Sequence, residues 1–550
     1  MKFWQSLKNL KLSLNSYLAV ASCWLGLALN YRLFEHLSEL SAFQGIWLYL
    51  FNLGMGFLLI GYMYLCLTLL LWHWNAKWLL GIILIIASLS SYFCNSLGIG
   101  IDALQLQNAL QTNHSEAFDL LSPDFALWLI LLVILPVALF SLIQIKKTSF
   151  KNLIVSKMLS ILLILSCSAV IIFSYYLELS SIFRGHRELR NFISPQNTIH
   201  AIWSYHKKLS HQSKGPIANY GTDASHNTNY TAKHPPKLMV LVVGETARAE
   251  SFSLNGYSKN TNPELSQLPI INFQHVTSCG TETAVSVPCM FSGMPRLNYD
   301  ERTAYTRENL LDVLKRAGYH VTWIDNDSGC KDVCDRVHNY VIPTALQQKY
   351  CQDGECLDQI LVESLQLYLK QIPIDDQQPQ IIVLHQIGSH GPAYYKRTPA
   401  NFQHFQPICN TNNIQDCSRE SLINVYDNTI IYTDHVLASI IHVLENDPHH
   451  YQSMLWYLSD HGESTGEHGL YLHGAPYFMA PNQQTHIPMI MWLSQRWKTN
   501  NPDHENCLNR QTQQALSQDN LFPTLLSLLD VDSHIKNPTL DMLQQCQQHP

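Results

Sequence analysis

The chain has 550 residues, 47% of them apolar and 14% charged, with a net charge of −7 and a mean hydropathy of −0.04. Acids outnumber bases and no sustained Lys/Arg stripe runs through it, which excludes a basic nucleic-acid binder. The averages conceal a division: residues 1–178 carry nine Lys/Arg and seven Asp/Glu, and residues 179–550 carry 26 and 35. About 9% of the first part is charged against about 16% of the second, so the first suits lipid and the second water.

Within the first part, five long, mostly apolar stretches lack any charged residue: 12–31, 40–76, 78–101, 125–145 and 158–177. Each is long enough to cross a bilayer, which takes ~20 mostly apolar residues because lipid offers no partner to a free backbone amide. The run 40–76 exceeds one straight helix, and its span is expected near 46–71. The first run follows Lys2, Lys8 and Lys11 as a signal peptide would; its length and the four spans after it favour a retained helix. With the N-terminus in the cytoplasm, Lys2, Lys8, Lys11, Lys77, Lys146, Lys147, Lys151 and Lys157 lie inside and only Arg32 outside. Five spans begun inside carry residues 179–550 out of the cytoplasm. Residues 181–212 mix Phe183, Ile193, Ile202 and Trp203 with Arg184, Arg187, Arg190, Lys207 and Lys208, which suits a helix in the headgroup layer or a polar tether. Residues 213–236 have loop chemistry throughout. The expected organisation is a membrane domain over 1–178, interfacial helices and linker over 179–236, and a soluble domain over 237–550.

Cys23, Cys66, Cys94 and Cys167 fall inside the expected spans, where a thiol acts as a small apolar group. The other ten form near neighbours: Cys279/Cys289, Cys330/Cys334, Cys351/Cys356, Cys409/Cys417 and Cys507/Cys546. Outside the cytoplasm such an even set reads as disulfides, although Cys330, Cys334, Cys351 and Cys356 also have spacing close to a zinc ribbon.

In the soluble part, apolar runs end abruptly in metal-ligand residue types. LMVLVVG leads into Glu245, IIVLHQIGSH to His390, and SMLWYLS to Asp460-His461, with helix-like segments such as 307–317 and 420–444 between. Buried strands alternating with helices imply an α/β domain whose largely parallel sheet carries its site at the C-terminal strand ends. Any one of the 23 histidines beyond residue 178 is ordinary background. Carboxylate and imidazole groups ending three separate strands form a set that suits zinc. The segment SCGTETAVSVPCMFSGMPR offers three hydroxyls, Thr281, Thr283 and Ser286, and pattern alone does not choose among them. A hydroxyl needs a base or a metal to become a nucleophile.

The ordered set GETARAE (244–250), SCGTETAVSVPCMFS (278–292), DNDSGCKDVCD (325–335), LHQIGSHGPAYYKR (384–397), SLINVYDN (421–428) and SDHGES-GE-YLHG (459–474) closely resembles the phosphoethanolamine–lipid A transferases, a family that includes the colistin-resistance enzymes. The resemblance covers essentially the whole chain and implies five membrane helices plus an α/β domain of alkaline-phosphatase-like, sulfatase-like fold. By motif position it implies Glu245, Asp460 and His461 as zinc ligands, with Thr283 as nucleophile and further ligand. His390 and His473 would line the phosphoryl site and take part in proton transfer or hold a second Zn2+, with Glu463 beside them. Ser328, Lys331 and Asp327 would contact the phosphoethanolamine group. Asn108, Thr112 and Glu116, spaced i, i+4, i+8 along one side of a helix, would face the substrate cavity. Glu282 departs from the family pattern, which has a small residue between the two threonines.

The activity implied is transfer of phosphoethanolamine from phosphatidylethanolamine to a lipid A phosphate of lipopolysaccharide through a threonine adduct, lowering polymyxin susceptibility. It would be performed by a monomer among inner-membrane lipids of a Gram-negative bacterium, with the catalytic domain periplasmic and no nucleic acid involved. The alternatives are a related phosphotransferase or hydrolase of the same fold acting on another envelope glycan or lipid, or a zinc-binding envelope sensor. A type I sulfatase is disfavoured because SVPCM lacks the Arg of the Cys/Ser-x-Pro-x-Arg loop.

Overall fold

A computed structural model describes residues 9–111, 122–211, 216–227, 235–352 and 355–548. The chain forms two compact units, one of residues 1–107 with 121–208 and the other of 108–120 with 209–550. Residues 179–208 therefore group with the membrane helices, and Ile182, Leu189 and Phe192 are buried in that unit's apolar core. Of the two readings for 181–212, the described residues are helical: Tyr176–Gly185, a 3-10 turn Arg187–Phe192, and Gln196–His211.

Four helices of the first unit are long and apolar enough to cross a membrane: Ile46–Leu70, Ala76–Leu97, Pro123–Leu142 and Phe150–Ser174. Five were expected. The first uncharged run instead gives a 15-residue helical stretch, Leu14–Ala28, which at 1.5 Å per residue reaches ~22 Å against a ~30 Å hydrocarbon core. Two polar side chains shorten it. Ser13 accepts the Ser16 amide at 3.1 Å and starts the helix, while buried Asn30 donates to the Leu25 carbonyl at 2.7 Å and ends it. The chain then continues as a separate helix, Tyr31–Leu40. At the other end of the unit, Lys157 is buried and donates to the Thr68 and Leu71 carbonyls at 2.5 and 2.7 Å, satisfying orphan groups at the C-terminus of Ile46–Leu70.

The second unit is built on seven strands: β1 Lys237–Gly244, β2 Ile270–Phe273, β3 His320–Asp325, β4 His338–Asn339, β5 Gln380–His385, β6 Gln452–Ser459 and β7 Met489–Leu493. They lie in the order β2-β7-β6-β1-β5-β3-β4, and only β7 runs antiparallel to its neighbours. Every residue of β1, β5 and β6 is buried, as expected for parallel strands covered on both faces. Register aligns their ends: Gly244 pairs with Ser459, Val243 with His385, and His385 with Asp325. The expected helices form as Leu310–Arg316, closed by an Asn309/Asp312 capping box, and Arg419–Glu445, capped by Ser418.

All ten soluble-part cysteines are joined as the neighbouring pairs Cys279–Cys289, Cys330–Cys334, Cys351–Cys356, Cys409–Cys417 and Cys507–Cys546. A zinc ribbon is thereby overturned, since its four thiolates are consumed in two bridges. The central strand begins at buried Lys237, which donates to Asp530 at 2.6 Å and to the Leu528 carbonyl at 2.7 Å. Asp530→Ala would strand that ammonium in the interior, and thermal unfolding of the purified chain should show a loss of about 3 kcal/mol.

Candidate metal centre and active site

Parallel strands end at one edge, and the residues just beyond them meet there. Glu245 follows β1 and Asp460-His461 follow β6; all three are fully buried. Thr283 opens the helix Thr283–Ser292, tied to the preceding loop by the Cys279–Cys289 bridge. Its hydroxyl donates to Glu245 Oε2 at 2.9 Å and lies 3.3 Å from His461 Nε2. The other two hydroxyls are engaged elsewhere: Thr281 donates to the Ala475 carbonyl, and Ser286 accepts the Gly280 amide. Tertiary contacts thus set apart Thr283, the hydroxyl the family resemblance implied, among three that pattern alone left equivalent.

Proton bookkeeping shows what this cluster lacks. His461 Nδ1 stands 2.9 Å from the Gly462 carbonyl and donates to it, so Nε2 carries a bare lone pair. That lone pair faces Asp460 Oδ2 at 3.3 Å and Glu245 Oε1 at 3.5 Å. Both carboxylate oxygens are buried without a hydrogen-bond partner among the described residues, and the one proton of Thr283 points to Glu245 Oε2. Four acceptors converge with nothing positive among them. Burial, with the Asp460 and Asp327 carboxylates, pushes the Glu245 carboxyl well above its usual range. An oxygen-rich set with one imidazole fits zinc, which would be held by Glu245, Thr283, Asp460 and His461.

A second tier surrounds this set. His473 lies 2.9 Å from Glu463, whose other oxygen accepts the Tyr394 hydroxyl at 2.6 Å. The His473 ring is 4.6 Å from His461 and 5.5 Å from His390. Burial opposes charge on His473, yet Glu463 carries its pKa upward overall. His390 is driven well down by burial and by neighbouring His473 and Arg397. Lys331, in a left-handed conformation at φ 51°, donates to Ser328 at 2.8 Å, and Ser328 donates to Asp327 at 3.2 Å. Asn108 belongs to this unit, and its amide donates to Glu282. Glu282 is buried, and its charge is among those that raise His473. Thr112 and Glu116 lie outside the described residues.

Several supporting residues escaped sequence reading. Asp358 accepts the Ile387 and Gly388 amides at 3.0 and 2.9 Å and the Asn326 side chain at 2.8 Å, joining the β3 and β5 loops; burial lifts its pKa to about 6. Gly388, at φ +51°, lies so close to Glu245 that a Cβ would stand 2.5 Å from its carbonyl oxygen. His385 ends β5 and went unremarked inside the LHQIGSH run, although a histidine closing an apolar strand was a readable signal. Arg248 bonds Thr465 and Glu467 beneath the site.

Fold and site define an alkaline-phosphatase-like α/β domain joined to a unit of apolar helices, with a threonine hydroxyl set among metal-ligand residue types. Residues 237–531 match the sulfatase family model, and residues 59–209 match that of phosphoethanolamine transferase EptA/EptB. The chain is 38% identical over 548 residues to phosphoethanolamine transferase EptA of Escherichia coli K12, covering 98% of each. It is 35% identical to phosphatidylethanolamine transferase Mcr-1 of Escherichia coli over 88% of each. The structure of the integral membrane lipooligosaccharide phosphoethanolamine transferase A from Neisseria meningitidis superposes with a TM-score of 0.90 at 36% identity, covering 98% of this chain and 99% of that one. The chain belongs to the phosphoethanolamine transferase family.

Removal of one first ligand should be decisive for the metal. Asp460→Ala should weaken zinc binding by at least ~100-fold, beyond the 10–100-fold typical of outer-shell changes, as measured by metal competition with a chromogenic chelator.

Proposed function

We propose that this protein transfers phosphoethanolamine from phosphatidylethanolamine to a lipid A phosphate through an adduct on Thr283, with zinc held by Glu245, Thr283, Asp460 and His461. The observation that carries the reading is the Thr283 hydroxyl, which opens a helix and meets Glu245 Oε2 and His461 Nε2. Similarity to EptA over nearly the full chain supplies the substrate class. Bound zinc supplies a Lewis acid that lowers the pKa of the hydroxyl and offsets charge on the phosphoryl oxygens.

The residues of the chain do the rest. Glu245 Oε2 takes the Thr283 proton as the Thr283 Oγ–phosphorus bond forms and the phosphorus–diacylglycerol oxygen bond breaks. His473, kept charged by Glu463, protonates the departing diacylglycerol oxygen. In the second half the acceptor phosphate gives its proton to His473 and attacks phosphorus, and Thr283 leaves and recovers its proton from Glu245. Lys331 and the amides at the start of Thr283–Ser292 stabilise the equatorial phosphoryl charge. His390, held neutral by burial, and Ser328 orient the phosphoethanolamine, while Asn108, Thr112 and Glu116 are assigned to the lipid donor.

The topology belongs to the same proposal. Leu14–Ala28 serves as a short first crossing, giving five in all, with the basic loops cytoplasmic and residues 209–550 periplasmic at the inner membrane of a Gram-negative cell. The working form is a monomer.

Expression in a polymyxin-susceptible Gram-negative host should add phosphoethanolamine to lipid A by mass spectrometry and raise the polymyxin tolerance of the cells. Thr283→Ala, expressed equally, should add none; unmodified lipid A with both chains would sink the acceptor assignment. A green fluorescent protein fused at the C-terminus and exported through this topology should stay dark, and bright fluorescence would reverse the orientation.

A further inference from the structure

Beside the catalytic cluster lies another convergence of donor atoms, which shares Glu245 with it and adds Asp327 and His385, two side chains the mechanism leaves unused. His385 closes β5, fully buried, with its ring edge-on to Trp323 at 5.5 Å. Its Nδ1 stands 3.2 Å from Asp325 Oδ1. Donation to that carboxylate fixes the tautomer and leaves the Nε2 lone pair pointing the other way, the carboxylate–histidine arrangement that commonly backs a metal ligand. Nε2 has no hydrogen-bond partner among the described residues. It faces the almost fully buried side chain of Asp327, whose Oδ2 is 3.7 Å away, beyond hydrogen-bond reach. One ligand atom each of Glu245, Asp327 and His385 lies within 4.8 Å of the others. Donors ~2.1 Å from a shared ion stand roughly 3–4 Å apart, so the 3.7 Å between His385 Nε2 and Asp327 Oδ2 fits a shared cation better than a shared proton.

We propose that Glu245, Asp327 and His385 form a second divalent-cation site, for Zn2+ or Mn2+, that shares the Glu245 carboxylate with the catalytic ion. Two carboxylates with one imidazole suit either metal. The three ligands come from β1, the loop after β3 and the end of β5, so the site clasps adjacent strands at the edge where the active site is built. Its occupant offsets the repulsion among Glu245, Asp327 and Asp460 and holds Glu245 with one oxygen toward Thr283. Asp327 then acts as a ligand, leaving Ser328 and Lys331 to the substrate.

The test uses the full chain in detergent, stripped with a chelator, dialysed against Zn2+ and analysed by mass spectrometry of bound metal. Native protein should hold two tight ions per chain, and Asp327→Asn and His385→Gln one each. In parallel, Mn2+-loaded native protein should give the exchange-coupled paramagnetic resonance signal of two ions bridged by a carboxylate, and each variant an uncoupled six-line spectrum. That native measurement stands even if a variant misfolds. One ion in the native chain with phosphoethanolamine transfer intact overturns this site alone, whereas no ion at all overturns the catalytic metal. Equal loading of native and variant chains, as surface histidines would produce, also overturns it.

Discussion

Three carboxylates buried within reach of one another are the constraint on which the second unit depends. Glu245, Asp327 and Asp460 repel, and burial in a poor dielectric makes that repulsion costly. Adjacent parallel strands force them together: once Gly244 pairs with Ser459 and Val243 with His385, the residues beyond those rungs have nowhere else to go. The site is thus a product of the sheet register, and its crowded carboxylates fit a positive ion. The same electrostatic state suits phosphoryl transfer, where most of the barrier is lowered by charge arranged in advance.

Loops convert that edge into a directed site. Asp358 ties the loops after β3 and β5 through backbone amides, and Gly388 lets one of them pass against Glu245. The Cys279–Cys289 and Cys330–Cys334 bridges fasten the segments that carry Thr283 and Lys331. Glu463 raises the pKa of His473 against the effect of burial, while burial and the neighbouring His473 lower that of His390. Two imidazoles 5.5 Å apart are thereby shifted in opposite directions by their surroundings.

Much of the architecture was legible in the chain. Charge-free length located Ile46–Leu70 within a residue of its expected ends, and apolar runs ending in Glu245 and Asp460 marked β1 and β6. The first apolar run was less legible, because an uncharged run measures solubility in lipid and not helix length; Ser13 and Asn30 bound its helix through hydrogen bonds. Cysteine spacing was compatible with a ribbon, but an even set outside the cytoplasm favoured bridges, and the sulfurs are joined in those neighbouring pairs. Glu282 was visible as a departure from the family pattern, and its burial and bond from Asn108 were not.

By itself, then, the sequence determined the lipid-embedded half, the α/β class and the ligand types at the strand ends, because hydrophobic length, strand periodicity and side-chain chemistry are local properties. Tertiary structure alone decided that Thr283 rather than Thr281 or Ser286 meets Glu245, that His385 joins Asp327, and that His473 is drawn toward protonation. Each of those depends on groups 10 to 178 residues apart in the chain brought within about 5 Å. Local pattern carries no information about distances of that kind, which strand register and loop anchoring create.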